Sequence, residues 1–222
     1  MEVYHPSKYP SSTLQKNKEH IARLLQRICG ADDEKAFEEI FQIFYERLLN
    51  FCIDYVKDKG YAEEIVSNVL LKFWMKRKES EIRNLETYLF IAVKNTSLNH
   101  LKQFSNLRLV YLEDAGVHDI MNPHDPGKEL ERRELIFKMN EAIETLPLQC
   151  KIIFKLVKEE GLKYKQVAEI LEISPRTVET QLVRAMKKLD HILSPYIDSK
   201  QSSAKTRNKP FESLNFLFSW IF

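Results

Sequence analysis

The chain has 222 residues, enough for one large domain or two small ones, and 44% of them are hydrophobic, as in ordinary globular proteins. Only 5 glycines argue against a strand-and-turn architecture, and the many Leu, Ile, Lys, Glu and Gln residues favour helices. The formal net charge of +2 is too small for a bulk basic field. Any contact with nucleic acid must therefore come from the local placement of charge.

The cysteines Cys29, Cys52 and Cys150 lie far apart, with no CxxC pair and no zinc-finger spacing of histidines. This pattern is typical of reduced thiols in a cytoplasmic protein. We expect Cys52 and Cys150 to be small core residues, and Cys29 to be either structural or an exposed redox thiol. The N-terminus lacks the apolar core of a secretory signal, and no run approaches the roughly 20 apolar residues that span a bilayer.

The first half of the chain predicts three amphipathic helices. Residues 1–20 are polar and predict a disordered arm, whereas an apolar stripe at steps of three and four begins at Ala36. Gly60 is a plausible stop for the first helix, and Asn84 can cap the third. These helices predict an all-α domain over 21–104. Their apolar positions are Phe37, Ile40, Phe41, Phe44, Leu48, Phe51, Cys52, Tyr55 and Val56, then Ile65, Val66, Val69, Leu70, Phe73 and Trp74, then Leu85, Leu89, Ala92, Val93 and Leu101.

Between residues 105 and 130 the periodicity lapses and Gly and Pro accumulate, which predicts a flexible linker. This stretch also mixes His and Asp residues. A metal site there is the weaker alternative, because the residues lack a repeated ligand spacing. They are His118, Asp119, His124 and Asp125.

Helical periodicity resumes over 131–198 and predicts a second small all-α domain. Pro147 opens a helix, since a proline costs no hydrogen bond in the first turn. Two shorter helices follow, Tyr164–Leu171 and Pro175–Leu193. Residues 199–222 combine a basic segment with the aromatic end FESLNFLFSWIF, for which a docking role and an incidental apolar end are both open.

The two shorter helices have the pattern of a helix-turn-helix. Ala168 is small, as close approach of two crossing helices requires, and Ile173 is the apolar residue of the turn. Ser174 can cap the next helix and Pro175 takes its first position, which specifies a sharp start. Many such turns hold Gly where this chain has Glu172, so the turn must adapt or carry mild strain.

Successive residues of an α-helix project about 100° apart. In the last helix, this spacing gathers the apolar residues in one arc and the polar residues in a separate, outward stripe. The stripe mixes Gln, Arg and Thr, which read base edges, with Lys and Arg, which bind phosphate, as a major-groove helix requires. Glu179 lies beside it and would either accept from cytosine or be solvated. A generic charged surface helix is the alternative, but the Ser-Pro start and the preceding short helix favour DNA binding. The predicted DNA-binding residues are Arg176, Thr177, Thr180, Gln181, Arg184, Lys187 and Lys188.

The chain resembles the sigma-70 family, in particular its extracytoplasmic-function (ECF) group of small sigma factors. LP at 146–147, EGLKYKQVAEILEIS and RTVETQLVRAMKKL look like the family's fourth conserved region. YAEEIVSNVLLKFW at 61–74 and IRNLETYLFIAVKNTSLNHLKQ at 82–103 look like its second region. The resemblance spans roughly 36–104 and 131–193. The presence of both halves in this order and at this spacing is specific for the family.

The resemblance implies a transcription initiation factor. Its second region would bind the β′ clamp of core RNA polymerase and melt and read the minus-ten promoter element, and its fourth region would bind the minus-thirty-five element. The polymerase contacts would come from Glu63, Glu64, Asn68 and Lys72. The minus-ten contacts would come from Arg83, Asn84, Lys94, Asn95, Asn99 and Lys102.

Several of these positions leave a second interpretation open. Asn95 and Asn99 could instead be solvated or bond between helices, and Trp74 and Tyr88 favour core packing over strand melting. Some residues also depart from the family pattern. Tyr61 replaces an acidic residue, Ser67 and Asn68 stand where acidic or amide residues are usual, and Lys163 replaces a Ser/Thr helix cap.

The expected partners are core polymerase, promoter DNA and, by resemblance, an anti-sigma factor that is often membrane-anchored, with no small-molecule substrate and no cofactor. SPRTVETQL at 174–182 is also close to the recognition helix of response-regulator-type proteins, which bind DNA without being polymerase subunits. Against this alternative, the first half shows no strand alternation of a receiver domain. An enzyme is disfavoured because the chain lacks a Gly-rich phosphate loop, paired His ligands on a helix and a nucleophile motif.

Overall fold

The computed structural model describes the backbone of residues 11–79, 82–105 and 136–198, with the side chains of 18–79, 82–103 and 136–194. These described residues form helices and turns and contain no strand, which confirms the predicted all-α class. They fall into two compact units, each built mainly from one half of the chain.

In its described residues the N-terminal unit consists of α1 (Ser11–Ala31), α2 (Glu34–Val56), α3 (Lys59–Met75) and α4 (Leu85–Ser105). Helix α2 is central and packs against the other three. Burying an apolar side chain in such a core contributes about 1.5–3 kcal/mol, so the α2 stripe stabilises this unit substantially. The buried apolar residues of α2 are Ala36, Ile40, Phe44, Leu48, Phe51, Cys52 and Val56.

Side chains from the preceding loops fix where three of these helices begin. The backbone N–H of Thr87 donates to Oδ1 of Asn84 over 3.1 Å, so the predicted cap of α4 is confirmed. Asp33 caps α2 through the N–H of Ala36 at 3.1 Å, and Asp58 caps α3 through the N–H of Tyr61 at 2.9 Å.

The expectation of a disordered arm over residues 1–20 is wrong for its second half, because α1 begins at Ser11. Leu24 and Ile28 of this helix are 1% and 0% exposed, and α1 packs against α2 and α4. Burial of these side chains stabilises the helix, so its polar first turns form as part of a longer element. Residues 1–10 lie outside the described part of the chain.

The expectation that Gly60 ends the first helix is also wrong. Helix α2 ends at Val56, and Lys57 takes the left-handed conformation, with φ 57°, while its N–H bonds to the carbonyl of Ile53. Gly60 lies in the first turn of α3. The capping carboxylate of Asp58 starts a new helix here, and it overrides the glycine as a signal.

In its described residues the C-terminal unit contains α5 (136–144), α6 (Leu148–Phe154), which continues as a π-helical turn over Lys155–Glu159, α7 (Tyr164–Leu171) and α8 (Pro175–Asp198). Pro147 directly precedes α6, and its carbonyl oxygen accepts a hydrogen bond from the N–H of Lys151 at 2.9 Å. Pro147 therefore opens this helix as predicted. Helix α6 packs against α8, and this packing supports α8 on its buried side.

The predictions for two of the cysteines are confirmed. Cys52 and Cys150 are buried and reduced, and Sγ of Cys52 lies 3.2 Å from Oγ of Ser97. Cys29 is partly exposed, but its burial, opposed by the charge of Arg77, raises the pKa of its thiol. Because the thiolate is the reactive form, this environment disfavours a redox role for Cys29.

Several predictions fall outside the described residues: most of the linker over 105–130 with its His and Asp mixture, and the tail over 199–222. Among the side chains that are described, no group of three or more His, Cys, Asp or Glu could hold a metal ion. Within the same part of the chain, no helix has the length and apolar character needed to cross a bilayer.

Candidate nucleic-acid interface

The turn between α7 and α8 has the geometry that the sequence predicts. Oγ of Ser174 accepts the N–H of Thr177 over 3.0 Å, and α8 begins at Pro175. Glu172 adopts the left-handed conformation, with φ 56°, so the turn keeps the geometry usual for glycine and carries the strain of a larger residue. Ile173 is half-buried, and its N–H bonds to the carbonyl of Ala168 at 3.0 Å.

Replacing Ser174 with alanine is expected to weaken the start of α8. Loss of a serine cap costs about 1 kcal/mol, which raises the fraction of molecules with an open first turn roughly fivefold. Hydrogen–deuterium exchange of the α8 amides measures this directly. The control Ser174→Asp keeps an oxygen acceptor and should exchange like the wild type, and equal exchange in all three proteins would contradict the capping role.

Helix α8 has a buried face that fixes its orientation in the C-terminal unit. The residues of this face follow one another at helical spacing and match the predicted apolar arc. They are Val178, Leu182, Ala185, Met186 and Leu189, which are all no more than 5% exposed, together with Leu193 at 0%.

The opposite face of α8 is open to solvent. Arg176, Thr180, Arg184 and Lys187 are exposed, and they line one concave surface along the helix. Two arginines, a hydroxyl and a lysine on one face combine groups that bind base edges with groups that bind phosphate. We call these four residues the α8 basic face.

The remaining three predicted residues of α8 lie at the edge of this face and contact the protein. Oε1 of Gln181 accepts from Sγ of Cys150 at 3.1 Å. Nζ of Lys188 donates to the carbonyl of Thr145 at 2.5 Å. Oγ1 of Thr177 lies 2.8 Å from Oγ of Ser174. The DNA contacts predicted for Gln181, Lys188 and Thr177 remain predictions, and each would have to coexist with or replace an intramolecular bond.

Two other residues share the concave surface and are absent from the predicted set. Val183 is 40% exposed, and Glu179 lies beside it on the same surface. A valine at this place offers an apolar contact of the kind that a thymine methyl group makes. Helical spacing could have found Val183, since it lies three residues from Thr180 and four from Lys187 on the same side.

In the N-terminal unit, α3 presents a separate exposed face. Glu64, Asn68 and Lys72 are exposed on it, as predicted for a partner-binding helix. Leu71 and Met75 lie on the same face with 53% and 67% of their surface exposed, and neither belongs to the predicted polymerase contacts. We call these five residues the α3 face.

The fourth predicted polymerase contact, Glu63, lies away from the α3 face. It is half-buried, and its Oε1 lies 3.7 Å from Nζ of Lys59 one turn earlier. At about 100° per residue, Glu63 projects roughly 100° from Glu64. The role of Glu63 in binding polymerase therefore stays a prediction that this geometry does not favour.

The predicted minus-ten residues are spread along α4 and its approach. Arg83, Asn95, Asn99 and Lys102 are exposed, whereas Lys94 is only 5% exposed. Asn84 is exposed as well, and although its Oδ1 caps α4, its two amide N–H groups remain to meet a base edge.

The aromatic residues near this surface pack within the unit. The ring of Trp74 lies 4.9 Å from that of Phe37, and the ring of Tyr88 lies 6.3 Å from that of Phe73. Both Trp74 and Tyr88 are half-buried. This arrangement supports the packing interpretation of both residues over a role in strand melting.

Each half of the chain matches a known protein family. Residues 40–105 match the family described as Sigma-70 region 2, and residues 136–189 match Sigma-70, region 4. Together the two matches cover more than half of the chain. They include α3 and α4 in the first match and the helix-turn-helix in the second.

Curated relatives agree with these matches. The chain is 24% identical over 190 residues to the RNA polymerase sigma-H factor of Pseudomonas aeruginosa, covering 81% of this chain and 97% of the relative. It is 24% identical over 178 residues to the ECF RNA polymerase sigma-E factor of Escherichia coli, covering 74% and 90%.

Solved structures show the same fold. The sigma factor RpoE of Bartonella quintana, in complex with the anti-sigma factor NepR, matches with a TM-score of 0.55 and 20% identity over 72% of this chain and 98% of that one. CnrH in complex with the cytosolic domain of CnrY matches with a TM-score of 0.50 and 15% identity over 80% and 97%. The chain belongs to the sigma-70 family and is an RNA polymerase sigma factor of the ECF group, a factor for transcription initiation.

Proposed function

We propose that this sigma factor divides its work among three surfaces. The α8 basic face reads the minus-thirty-five element, exposed residues of α4 and its approach read the minus-ten element, and the α3 face binds the β′ clamp of core polymerase. The observation that carries the proposal is the α8 basic face itself. Arg176, Thr180, Arg184 and Lys187 project together from a helix whose start is fixed by Ser174 and whose back is buried.

For the α8 basic face, the proposed mechanism is direct reading in the major groove. That groove is about 12 Å wide and admits a helix, and an arginine can donate two hydrogen bonds to one guanine. In a helix-turn-helix the N-terminal part of the second helix contacts base edges. Arg176 and Thr180 occupy this part of α8, while Lys187 lies further along, where a lysine suits the phosphate backbone.

For the minus-ten element, the proposal depends on polar rather than aromatic groups. Asn95 and Asn99 lie one turn apart on α4 and are exposed, and an amide can donate to and accept from the edge of an unstacked base. Lys102 and Arg83 are exposed cations at the two ends of α4, where they can neutralise phosphates of the separated strands.

Partners and location follow from the same proposal. The two solved relatives were captured with the anti-sigma factor NepR and with the cytosolic domain of CnrY, which supports control of this chain by an anti-sigma factor, in this group often membrane-anchored. Because core polymerase and promoter DNA are its proposed partners, we propose that the chain acts in the cytoplasm. The chain contributes binding and DNA opening, and the polymerase catalyses RNA synthesis.

Run-off transcription with cognate core polymerase tests the proposed function. Genome-wide mapping of start sites in cells that overproduce the chain supplies the promoter. We expect purified chain plus core to start at the mapped position, while core alone does not. Transcripts from core that do not depend on the chain, or starts that ignore the mapped promoter, would contradict the proposal.

A further inference from the structure

The concave surface along α8 holds one carboxylate among three cations. Glu179 lines this surface together with Arg176, Arg184 and Lys187, and all four side chains are exposed. Opposite charges three residues apart on a helix can pair, but Glu179 and Arg176 do not. Within the described part of the chain, none of the four charged groups forms an ion pair. The carboxylate is therefore as open to a ligand as the cations are.

Glu179 lies at one edge of the concave surface. Successive residues of a helix project about 100° apart, so Val183 projects about 40° from Glu179, whereas each of the three cations projects about 60° or more from it. Val183 is 40% exposed. The side of the surface around Glu179 thus offers an acceptor and an apolar group, and the cations lie beyond Val183. A surface that bound only the phosphate backbone would need neither of these two side chains.

The position of Glu179 within the helix-turn-helix places it where bases are read. Burial, and then the negative charge of Glu179, raise the pKa of the Tyr164 phenol above its usual value. Because Tyr164 is the first residue of α7, the carboxylate lies on the side of α8 that is close to α7. Glu179 is also within the first turns of α8, which begins at Pro175. In a helix-turn-helix, the N-terminal residues of the second helix contact base edges.

A carboxylate at this place has one favourable kind of partner in the major groove. It accepts hydrogen bonds and donates none, and the charge of a phosphate repels it. Cytosine presents an amino donor in the groove, whereas guanine presents two acceptors and thymine presents an acceptor and a methyl group. A carboxylate that faces guanine or thymine would lose its water without gaining a hydrogen bond, which disfavours both bases.

We infer that Glu179 is a specificity-determining residue that selects cytosine at one position of the minus-thirty-five element. The inference rests on the proposed function, and it names the base that one edge of the concave surface reads. The cations attract DNA of any sequence through its phosphates. The carboxylate adds a penalty for the wrong base, and this penalty narrows the set of promoters that the chain uses.

The test measures base preference in run-off transcription by the chain with core polymerase. The templates carry the mapped promoter, in which each position of the minus-thirty-five element is replaced in turn by each of the other bases. The wild type is compared with Glu179→Gln, Glu179→Arg and the control Glu169→Gln. Glu169 is an exposed carboxylate of α7 that does not line the concave surface. Its replacement therefore makes the same chemical change elsewhere in the same motif.

We expect the wild type to prefer cytosine to guanine and thymine at one position by about tenfold, within the range for one mismatched base pair. Glu179→Gln should shift the preference at this position to adenine, because an amide pairs with both edge groups of adenine. Glu179→Arg should shift it to guanine, the usual partner of arginine. Preferences at the other positions should not change, and Glu169→Gln should keep the wild-type preference throughout.

Several outcomes would overturn the inference while the proposed function stands. Wild-type preferences in both Glu179 variants would show that the carboxylate reads no base. An equal rise in transcription from all templates would show that Glu179 only weakens the attraction to phosphate. A responsive position at which the wild type prefers another base, or the same shift in Glu169→Gln, would also contradict it. A wild type that initiates equally from every template would instead remove the proposed minus-thirty-five reading, and this inference with it.

Discussion

Replacing Arg184 with alanine is expected to lower initiation at the mapped promoter by roughly tenfold or more. Arg184 is exposed at the centre of the α8 basic face, and one good contact between an arginine and a guanine is worth about 1–3 kcal/mol of discrimination. Binding of core polymerase should not change, because the α3 face lies in the other unit. Run-off transcription measures the first quantity, and co-purification with core measures the second.

The matched control for this prediction is Lys138→Ala in α5. It removes one positive charge from the same unit, and Lys138 pairs with Glu141 on its own helix at 3.0 Å. A general charge effect would weaken both variants alike and would fade at high salt. If Arg184→Ala initiates as well as the wild type, Arg184 does not read the minus-thirty-five element.

Replacing Leu71 with glutamate is expected to weaken binding to core polymerase by roughly thirtyfold or more, the scale of a binding hot spot of at least 2 kcal/mol. Leu71 is 53% exposed in the middle of the α3 face. A carboxylate buried there against a partner would lose its water without gaining a matching charge. The fold should survive, since surface substitutions usually change stability by less than about 0.5 kcal/mol.

Leu98→Glu provides the control for this second prediction. Leu98 is also an exposed leucine of the N-terminal unit, at 38%, but it lies on α4. The Leu98→Glu variant should bind core with the wild-type affinity when titrated against labelled core in the absence of DNA. Equal loss in both variants, or full binding by Leu71→Glu, would mean that the α3 face does not bind the clamp.

The features that the sequence predicts well are local. Apolar residues at steps of three and four predicted α2, α3 and α4, because this spacing puts them on one face of a helix whichever element later covers that face. The caps Asn84 and Ser174 were predicted for the same reason, since a side chain bonds to an amide three residues ahead. Local chemistry also anticipated the strained turn at Glu172.

The features that the sequence predicts poorly depend on tertiary contacts. Helical spacing placed Gln181 and Lys188 in the outward stripe. Only tertiary packing brings Cys150 within hydrogen-bonding distance of Gln181, and the carbonyl of Thr145 within that distance of Lys188. Exposed apolar residues such as Leu71 belong to no predicted set, because only the packing of the other helices shows which apolar side chains stay uncovered. Helix α1 was missed because its first turns are polar and its burial depends on α2 and α4.

In the proposed function, each of the two units binds one promoter element. Each proposed DNA-binding surface is small, so we expect each alone to bind weakly. When one chain carries both surfaces and polymerase holds the chain, the second contact becomes intramolecular, and its effective concentration rises to about the millimolar range. A loss at either surface should therefore reduce initiation at the promoter strongly.

The central claim, that this chain acts as a polymerase subunit and not as a free DNA-binding regulator, is tested most directly by co-purification with core polymerase in the absence of DNA. The account predicts a stable complex of chain and core that then binds the mapped promoter, whereas the chain without core binds this promoter weakly. A chain that ignores core and binds duplex promoter tightly by itself would contradict the account and would favour a regulator of the response-regulator type.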